Sequence, residues 1–193
     1  RSIKKFNCLL LIIVTFAYFA IIACNNGGGD SGGSSGNNGA EDEYPTPSML
    51  VVPDEYLQIQ DAINDMPQIG GTVYVRAGFY LIDQGIHIMR SNVTILGEQG
   101  AVIKLADGVN QPVILIGSDA QTPSTRIENI KISNLEIDGN MDNQDRETDP
   151  TREWIRNNGI DVRMVNNLRI TEVDIHSARS GGIVVSWDCH QIF

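Results

Sequence analysis

Short runs in which apolar and polar residues alternate dominate the chain from Gly71 onward. A period of two predicts β-strands with one buried face. Two-residue hairpin turns are rare between the runs, so a meander of antiparallel strands is disfavoured. The predicted strands are residues 49–52, 72–75, 86–88, 93–95, 102–105, 113–116, 130–132, 135–137, 160–162, 168–170, 173–175 and 183–185.

One helix is predicted, over residues 55–66. Asp54 stands where an N-cap is expected, and Pro67 ends the segment. The apolar residues repeat at the spacing of one helical face, namely Tyr56, Ile59, Ile63 and Met66. The helix therefore has one side suited to packing against the strands that follow.

Segments of the chain resemble one another at fixed offsets. The aligned pairs are 91–97 with 133–139, 129–137 with 167–175, and 159–162 with 182–185. Such repeats predict coils of three short parallel strands, each stacking its aliphatic residues on the next coil. One coil cannot bury its own apolar side, so the coils must stack to fold. A β-sandwich of short strands is the alternative.

The first 47 residues have a different pattern. A basic start precedes the uncharged apolar stretch 8–23, which is shorter than the roughly 20 residues of a spanning helix and is typical of a signal peptide. The sequence Ile21-Ile22-Ala23-Cys24 resembles the lipobox of bacterial lipoproteins. This resemblance implies a lipoprotein signal peptide over 1–23, lipidation of Cys24, and a location in the bacterial cell envelope. A plain signal anchor is the alternative.

Gly, Asn and Ser dominate the stretch that follows Cys24, so residues 24–47 are expected to form a flexible linker between the lipid and a domain at 48–193. The lipid would hold the domain at the outer membrane, facing the periplasm or the cell surface. The chain carries 14 Lys and Arg against 24 Asp and Glu, a net charge of −10, which argues against a nucleic-acid partner. Three cysteines form no disulfide framework.

The first coil and the helix before it carry a family resemblance. Residues 70–80 (GGTVYVRAGFY) and 91–98 (SNVTILGE) resemble the start of bacterial members of the pectin-lyase-like superfamily. The resemblance implies an all-β fold, a right-handed parallel β-helix (solenoid) with a short N-terminal capping α-helix that covers the open front. Because the pattern runs on to Phe193, the chain is expected to be the N-terminal part of a longer protein.

Members of this superfamily include pectate lyases, polygalacturonases and alginate epimerases, which act mostly on acidic polysaccharides. The resemblance implies a membrane-tethered, exported lyase, hydrolase or epimerase of such a polymer, with catalytic residues beyond Phe193. A noncatalytic glycan-binding or adhesin-like scaffold is the alternative. The polygalacturonase acids are missing, since Asn158 and the pair Ser180-Gly181 stand where carboxylates are expected.

Four residues are candidates for a catalytic groove within this chain: Asp161, Arg163, His176 and Arg179. Strand alternation points Asp161 and Arg163 away from the core, and His176 and Arg179 follow the strand predicted at 173–175, on the turn that leads to Gly182. Such a group could transfer protons to and from a uronate. An ion pair on a solvated strand is the alternative for Asp161 and Arg163.

An acidic segment at 138–149 (DGNMDNQDRETD) suggests a Ca²⁺ site with Asp138, Asp142 and Asp145 as ligands. It lacks the order of an EF-hand loop, and a solvated insertion is the alternative. Trp154, in the same insertion, is a candidate for stacking on a sugar ring or for packing against its own turn.

Overall fold

The structure is a computed structural model that describes residues 47–193. Strands dominate this part of the chain. The elements are β1 Ser48–Val52, α1 Ile59–Asp65, β2 Gly71–Val75, β3 Gly78–Ile82, β4 Ile86–Ile88, β5 Val93–Gly97, β6 Ala101–Leu105, β7 Ile114–Gly117, β8 Ile127–Asp138, a 3-10 turn Met141–Asn143, β9 Ile160–Arg163, β10 Val165–His176, β11 Ile183–Ser186 and β12 His190–Ile192.

Every pair of these strands is parallel, and the strands stack into three faces. The first face contains β1, β2, β5, the first halves of β8 and β10, and β12. The second contains β3, β6 and the second halves of β8 and β10, and the third contains β4, β7, β9 and β11. The chain is a right-handed parallel β-helix, which confirms the predicted fold.

Aliphatic residues stack from rung to rung inside the coil. Val73 pairs with Ile95, Ile95 with Ile132, and Ile132 with Ile170. The first three are fully buried and Ile170 is partly buried. Each fully buried side chain contributes about 1.5–3 kcal/mol. The column is therefore a continuous apolar core along the solenoid.

Single asparagines turn the chain at the edge where the first face begins. Asn92, Asn129 and Asn167 have φ of 63°, 61° and 53°, the left-handed region that asparagine tolerates. The Nδ2 of Asn129 donates to Oδ1 of Asn92 at 2.9 Å, and that of Asn167 donates to Oδ1 of Asn129 at 2.8 Å. We call this row the asparagine ladder. Its hydrogen bonds satisfy side-chain amide groups that the backbone pairing of the strands does not.

Helix α1 covers the β1 end of the coil, as predicted. Its buried residues Ile59, Ala62 and Ile63 belong to the hydrophobic core, and it contacts β1, β2 and β4. The predicted start was wrong, because residues 53–55 form a turn and the N-cap is Gln58. Asp54 instead accepts from the Arg76 guanidinium at 2.8 Å. Tyr56 has the spacing of the helical face but lies before the first residue of the helix, so the spacing predicted too early a start.

The repeat of 129–137 at 167–175 is confirmed, since β8 and β10 pair at this offset of 38. The alignment of 91–97 with 133–139 is wrong, because Val93 lies opposite Ile130. The four strands predicted at 130–137 and 168–175 belong to two long strands, and within each of these two ranges the chain bends at one left-handed residue. These are Asn134 with φ 58° and Glu172 with φ 55°.

Two strands were missed. β3 carries Phe79 and Leu81, both more than half exposed, on its outward positions, so it lacks the polar alternation that marked the other strands. β12 is only three residues long.

Within residues 47–193, no helix is long and apolar enough to cross a membrane. The predicted signal peptide, Cys24 and all but the last residue of the predicted linker lie outside the described residues.

Candidate functional site

Five ionisable side chains project outward together from the second face, on β6, β8 and β10. We call this cluster the charged face: Lys104, Glu136, Asp138, Asp174 and His176. The strand register creates it. Glu136 lies opposite Asp174 on the next rung, and Asp138 lies between Lys104 on one side and His176 on the other. Because outward positions alternate with core positions, five ionisable groups are held beside a fixed hydrophobic stack.

Lys104 and Asp138 form the more buried pair of the charged face. The Lys104 Nζ lies 2.6 Å from Oδ2 of Asp138, and the Asn140 backbone N–H donates to Oδ1 at 2.8 Å. Burial acts to raise the pKa of Asp138, but the hydrogen bonds from Lys104 and Asn140 and the charge of His176 outweigh it, so the pKa is lowered. Asp138 is therefore ionised at neutral pH and holds the ammonium group in place.

His176 is an accessible imidazole beside this pair, with 42% of its side chain exposed. Its Nε2 lies 3.1 Å from Oε1 of Glu136, and its Nδ1 lies 3.1 Å from Oγ of Ser177 and 3.9 Å from Oδ1 of Asp138. A carboxylate that bonds to one ring nitrogen orients the imidazole. The ring can therefore exchange a proton with a ligand that lies on the charged face.

Open grooves flank the charged face on two sides. One is lined by residues that include Gly100, Asn134, Glu136, Glu172 and Asp174. The other is lined by residues that include Lys104, Asp138, Asn140, Asp142 and Ser177. Both are surface depressions and not enclosed cavities, a shape that suits an extended polymer better than a small ligand.

The structure divides the four predicted groove residues. His176 belongs to the charged face on the second face of the coil, whereas Asp161 and Arg163 lie on β9 in the third face. Arg179 is exposed in the segment between β10 and β11. In the next coil, Val184 lies opposite Asp161 and Ser186 lies opposite Arg163. The four side chains do not lie along one sheet.

Asp161 and Arg163 are 4% and 2% exposed, so the alternative of a solvated ion pair is wrong. Asn158 Nδ2 donates to Asp161 Oδ2 at 2.8 Å, and the Arg163 guanidinium lies 5.7 Å from the centre of the Trp187 ring. Burial raises the pKa of Asp161 and lowers that of Arg163. One oxygen of Asp161 and one nitrogen of Arg163 have no hydrogen-bond partner.

The segment 139–159 carries side chains that anchor it to the loop between β7 and β8, and we call this segment the cover loop. Fully buried Asp149 accepts from Thr151 and from the Arg152 guanidinium at 2.7 Å. Arg152 also donates to Asp119 at 3.0 Å. The Trp154 indole N–H donates to the Asp119 carbonyl at 2.8 Å. Trp154 is thus fixed to its neighbouring loop while 42% of the residue stays exposed.

The three predicted calcium ligands do not converge. Asp138 accepts a hydrogen bond from Lys104. Oδ1 of Asp145 accepts one from Nδ2 of Asn110 at 2.5 Å. Asp142 is exposed in the 3-10 turn. Among residues 47–193 no three His, Cys, Asp or Glu side chains lie close enough to hold a metal ion. Calcium takes six to eight oxygen ligands, which the acidic segment does not gather in this conformation.

Lys104, Glu136 and Asp174 were missed from the sequence. A signal for two of them existed, because the confirmed repeat places Glu136 and Asp174 at the same position of successive coils. Lys104 lies on β6, which faces the second half of β8 only because β8 bends at Asn134. The bend was not predicted, so the partner of Asp138 could not be identified.

The sequence model of the family described as rhamnogalacturonase A/epimerase, pectate lyase-like, matches residues 52–192. The chain belongs to this family. Two curated proteins also resemble it by direct comparison. Alginate lyase 7 of Azotobacter vinelandii is 37% identical over 105 residues, which cover 50% of this chain and 12% of that protein. Mannuronan C5-epimerase AlgE5 of the same organism is 37% identical over 107 residues, 51% of this chain and 10% of that protein.

The pectate lyase-like chain therefore spans about a tenth of the length of these curated relatives. Among solved structures, the ORF18 protein of Geobacillus virus E2 is similar with a TM-score of 0.49 and 20% sequence identity. The similarity covers 67% of this chain and 26% of that one.

Proposed function

We propose that this chain is part of an exported, lipid-anchored enzyme that acts on an acidic polysaccharide by proton transfer at a uronate, in the manner of a lyase or an epimerase. The observation that carries the proposal is the charged face, where an accessible imidazole, three carboxylates and an ammonium group lie together on a parallel β-helix. Family membership and the names of the relatives, an alginate lyase and a mannuronan epimerase, support the substrate class.

Lyases and epimerases of uronates share a first step, removal of the proton from the carbon that bears the carboxylate. The step needs a base and a cation that stabilises the charge developing on the carboxylate. The contact with Glu136 favours a proton on Nε2 of His176, so the lone pair of Nδ1, now against Ser177, is the base. Glu136 then stabilises the imidazolium that forms.

Lys104 supplies the cation. Its ammonium group is held by Asp138, whose lowered pKa keeps the carboxylate ionised and the lysine in a fixed position. The side chain keeps 29% of its surface exposed, so a sugar carboxylate can approach the ammonium without disrupting the core. Lys104 therefore binds the substrate carboxylate, and Asp138 holds Lys104 in position.

The test uses the intact protein with alginate or pectate in deuterated water. Proton removal gives either an unsaturated sugar, detected by ultraviolet absorbance, or incorporation of deuterium, detected by NMR. His176→Gln is expected to lower both signals by about 10²–10⁴-fold, the usual contribution of an acid–base group. His190→Gln is the matched control, because His190 also contacts a carboxylate, Asp188 at 3.0 Å, outside the charged face.

Equal turnover of His176→Gln and His190→Gln would contradict the assignment. Polymer binding without any turnover by the intact protein would contradict the enzyme and favour the noncatalytic scaffold. Lipid anchoring is tested separately, by fractionation of cells that express Cys24→Ala. The variant is expected to leave the membrane fraction, and retention there would contradict the anchor.

A further inference from the structure

The outward side of the first face carries a second polar surface, away from the charged face. Consecutive rungs of β2, β5, β8 and β10 bring one column of side chains into line, and we call it the basic strip: Thr72, Thr94, Lys131 and Arg169. Both cations are exposed, and they lie directly opposite each other. A shallow hollow beside them is lined by Asn129, Ile130, Lys131, Asn167 and Arg169.

Two like charges directly opposite each other on neighbouring strands repel and destabilise the pair. In the described residues, no other strand pairing sets two cations against each other. Neither Lys131 nor Arg169 forms a salt bridge with any residue from 47 to 193. The pair therefore repels within the protein in a chain whose net charge is −10.

The surroundings keep this positive charge from being neutralised. Glu128, the carboxylate nearest in sequence to Lys131, lies beyond the corner that Asn129 forms with its φ of 61°. The Arg169 guanidinium lies over the ring of Phe193, 5.1 Å from its centre, which supports the cation without cancelling its charge. The neighbouring groups are neutral hydroxyls and amides, which are suited to hydrogen bonds with sugar hydroxyls.

We propose that the basic strip binds an anionic polysaccharide whose chain runs along the solenoid axis, outside the charged face. Neighbouring strands lie about 4.7–4.9 Å apart, so Lys131 and Arg169 present two positive charges side by side along the axis. Consecutive uronate carboxylates can therefore meet Lys131 and Arg169 on consecutive rungs, and each carboxylate relieves the repulsion between the cations. The polymer class rests on the proposed function, whereas the site does not depend on catalysis at His176.

The test measures binding of sodium alginate by calorimetry and by gel retardation, with dextran as the neutral polymer. Lys131→Gln/Arg169→Gln is expected to weaken alginate binding by about tenfold or more and to flatten its dependence on salt. Arg126→Gln/Arg146→Gln removes the same two charges elsewhere on the surface and is expected to retain the affinity. Thermal melting of each variant verifies that it is folded.

Equal affinities of the two double variants for alginate would overturn the proposal, and so would equal binding of dextran. Retention of the wild-type protein by anionic lipid vesicles, with no binding of alginate, would also overturn it in favour of a membrane surface. His176→Gln is expected to keep its affinity for alginate. A loss of turnover in that variant is therefore distinguishable from a failure of the basic strip.

Discussion

At the scale of single residues, the corners of the coil depend on what one side chain can do in the left-handed region. The asparagines of the ladder adopt φ values that cost other residues about 1–2 kcal/mol, and their amides bond to one another from rung to rung. Asn129 is the central member, since it donates to Asn92 and accepts from Asn167. It therefore combines two separable contributions, backbone conformation and hydrogen bonding.

Substitution of Asn129 separates these contributions. Asn129→Gly loses both ladder hydrogen bonds but tolerates the backbone conformation, so it is expected to cost about 1–2 kcal/mol in the free energy of unfolding. Asn129→Ala adds the left-handed strain and is expected to cost about 1 kcal/mol more. Urea denaturation measures the difference. Equal stabilities of the two variants would show that the corner is not strained for alanine.

Asp161 and Arg163 show where prediction from single residues ends. Alternation along the strand correctly placed both on the outward side of β9. Their burial comes from contacts made by distant parts of the chain, such as Gln121, whose carbonyl lies 3.5 Å from Arg163. No pattern within residues 160–163 records that contact, so solvent was the natural expectation for a polar outward position.

At the scale of elements, the cover loop is a folded unit despite its acidic, polar sequence. Amide side chains attach its first half to the end of β6 and the residue after it. Asn140 donates to the Leu105 carbonyl at 2.9 Å, and Gln144 donates to the Ala106 carbonyl at 2.9 Å. Asp149 organises its second half with hydrogen bonds from Thr151 and Arg152. The acidic composition that suggested calcium thus supplies internal hydrogen bonds.

The pH dependence of the cover loop follows from Asp149. Burial acts to raise the pKa of this carboxyl, but hydrogen bonds from Thr151 and Arg152 prevail and lower it. A lowered pKa in the folded state stabilises the loop above the unfolded pKa of about 3.9, and this contribution is lost as the pH falls through the folded value. The cover loop is therefore expected to loosen in acid.

Asp149→Asn should loosen the loop already at pH 7, by about 2–3 kcal/mol, and remove its response to acid. The emission of Trp154 in a Trp187→Phe background reports the change as a red shift, because the chain contains two tryptophans. Asp142→Asn is the matched control, since Asp142 is an exposed acid of the same loop. An identical pH response of Asp149→Asn and the wild type would contradict this role.

Element boundaries were predictable where alternation was strict and unpredictable where the chain turned at one residue. β4 was predicted with its observed bounds because polar His87 separates two buried isoleucines. β8 and β10 were each predicted as two strands, because the bends at Asn134 and Glu172 interrupt the period of two by one position. The start of the helix was predicted wrongly for a related reason, because the helical spacing of Tyr56 does not reveal the turn at residues 53–55.

At the scale of the whole molecule, the repeat is what made the fold predictable. A strand period predicts only that a residue faces inward, whereas the offset of 38 between β8 and β10 identifies which coil lies against which. The charged face combines residues from three strands, and the sequence repeats did not predict the pairing of β6 with β8 that brings Lys104 to Asp138. The fold therefore followed from the sequence, and the full set of residues in the candidate site did not.

Stability in such a stack accumulates between neighbouring rungs, so the same substitution is expected to have different effects on different rungs. Ile132 and Ile170 are direct partners in one column, but Ile132 is fully buried whereas Ile170 is partly buried. Ile132→Ala leaves a cavity between two packed rungs and is expected to cost about 3–4 kcal/mol, within the usual range for a buried isoleucine.

Ile170→Ala exposes a residue that already meets solvent and is expected to cost about 1–2 kcal/mol, since less apolar surface leaves water on folding. Urea unfolding followed by circular dichroism gives both values, and a similar m-value in the two variants would show that the same surface unfolds in each. If Ile170→Ala proves as destabilising as Ile132→Ala, the rungs unfold as one strongly coupled unit. In that case the stability of this chain cannot be described as a sum over neighbouring coils.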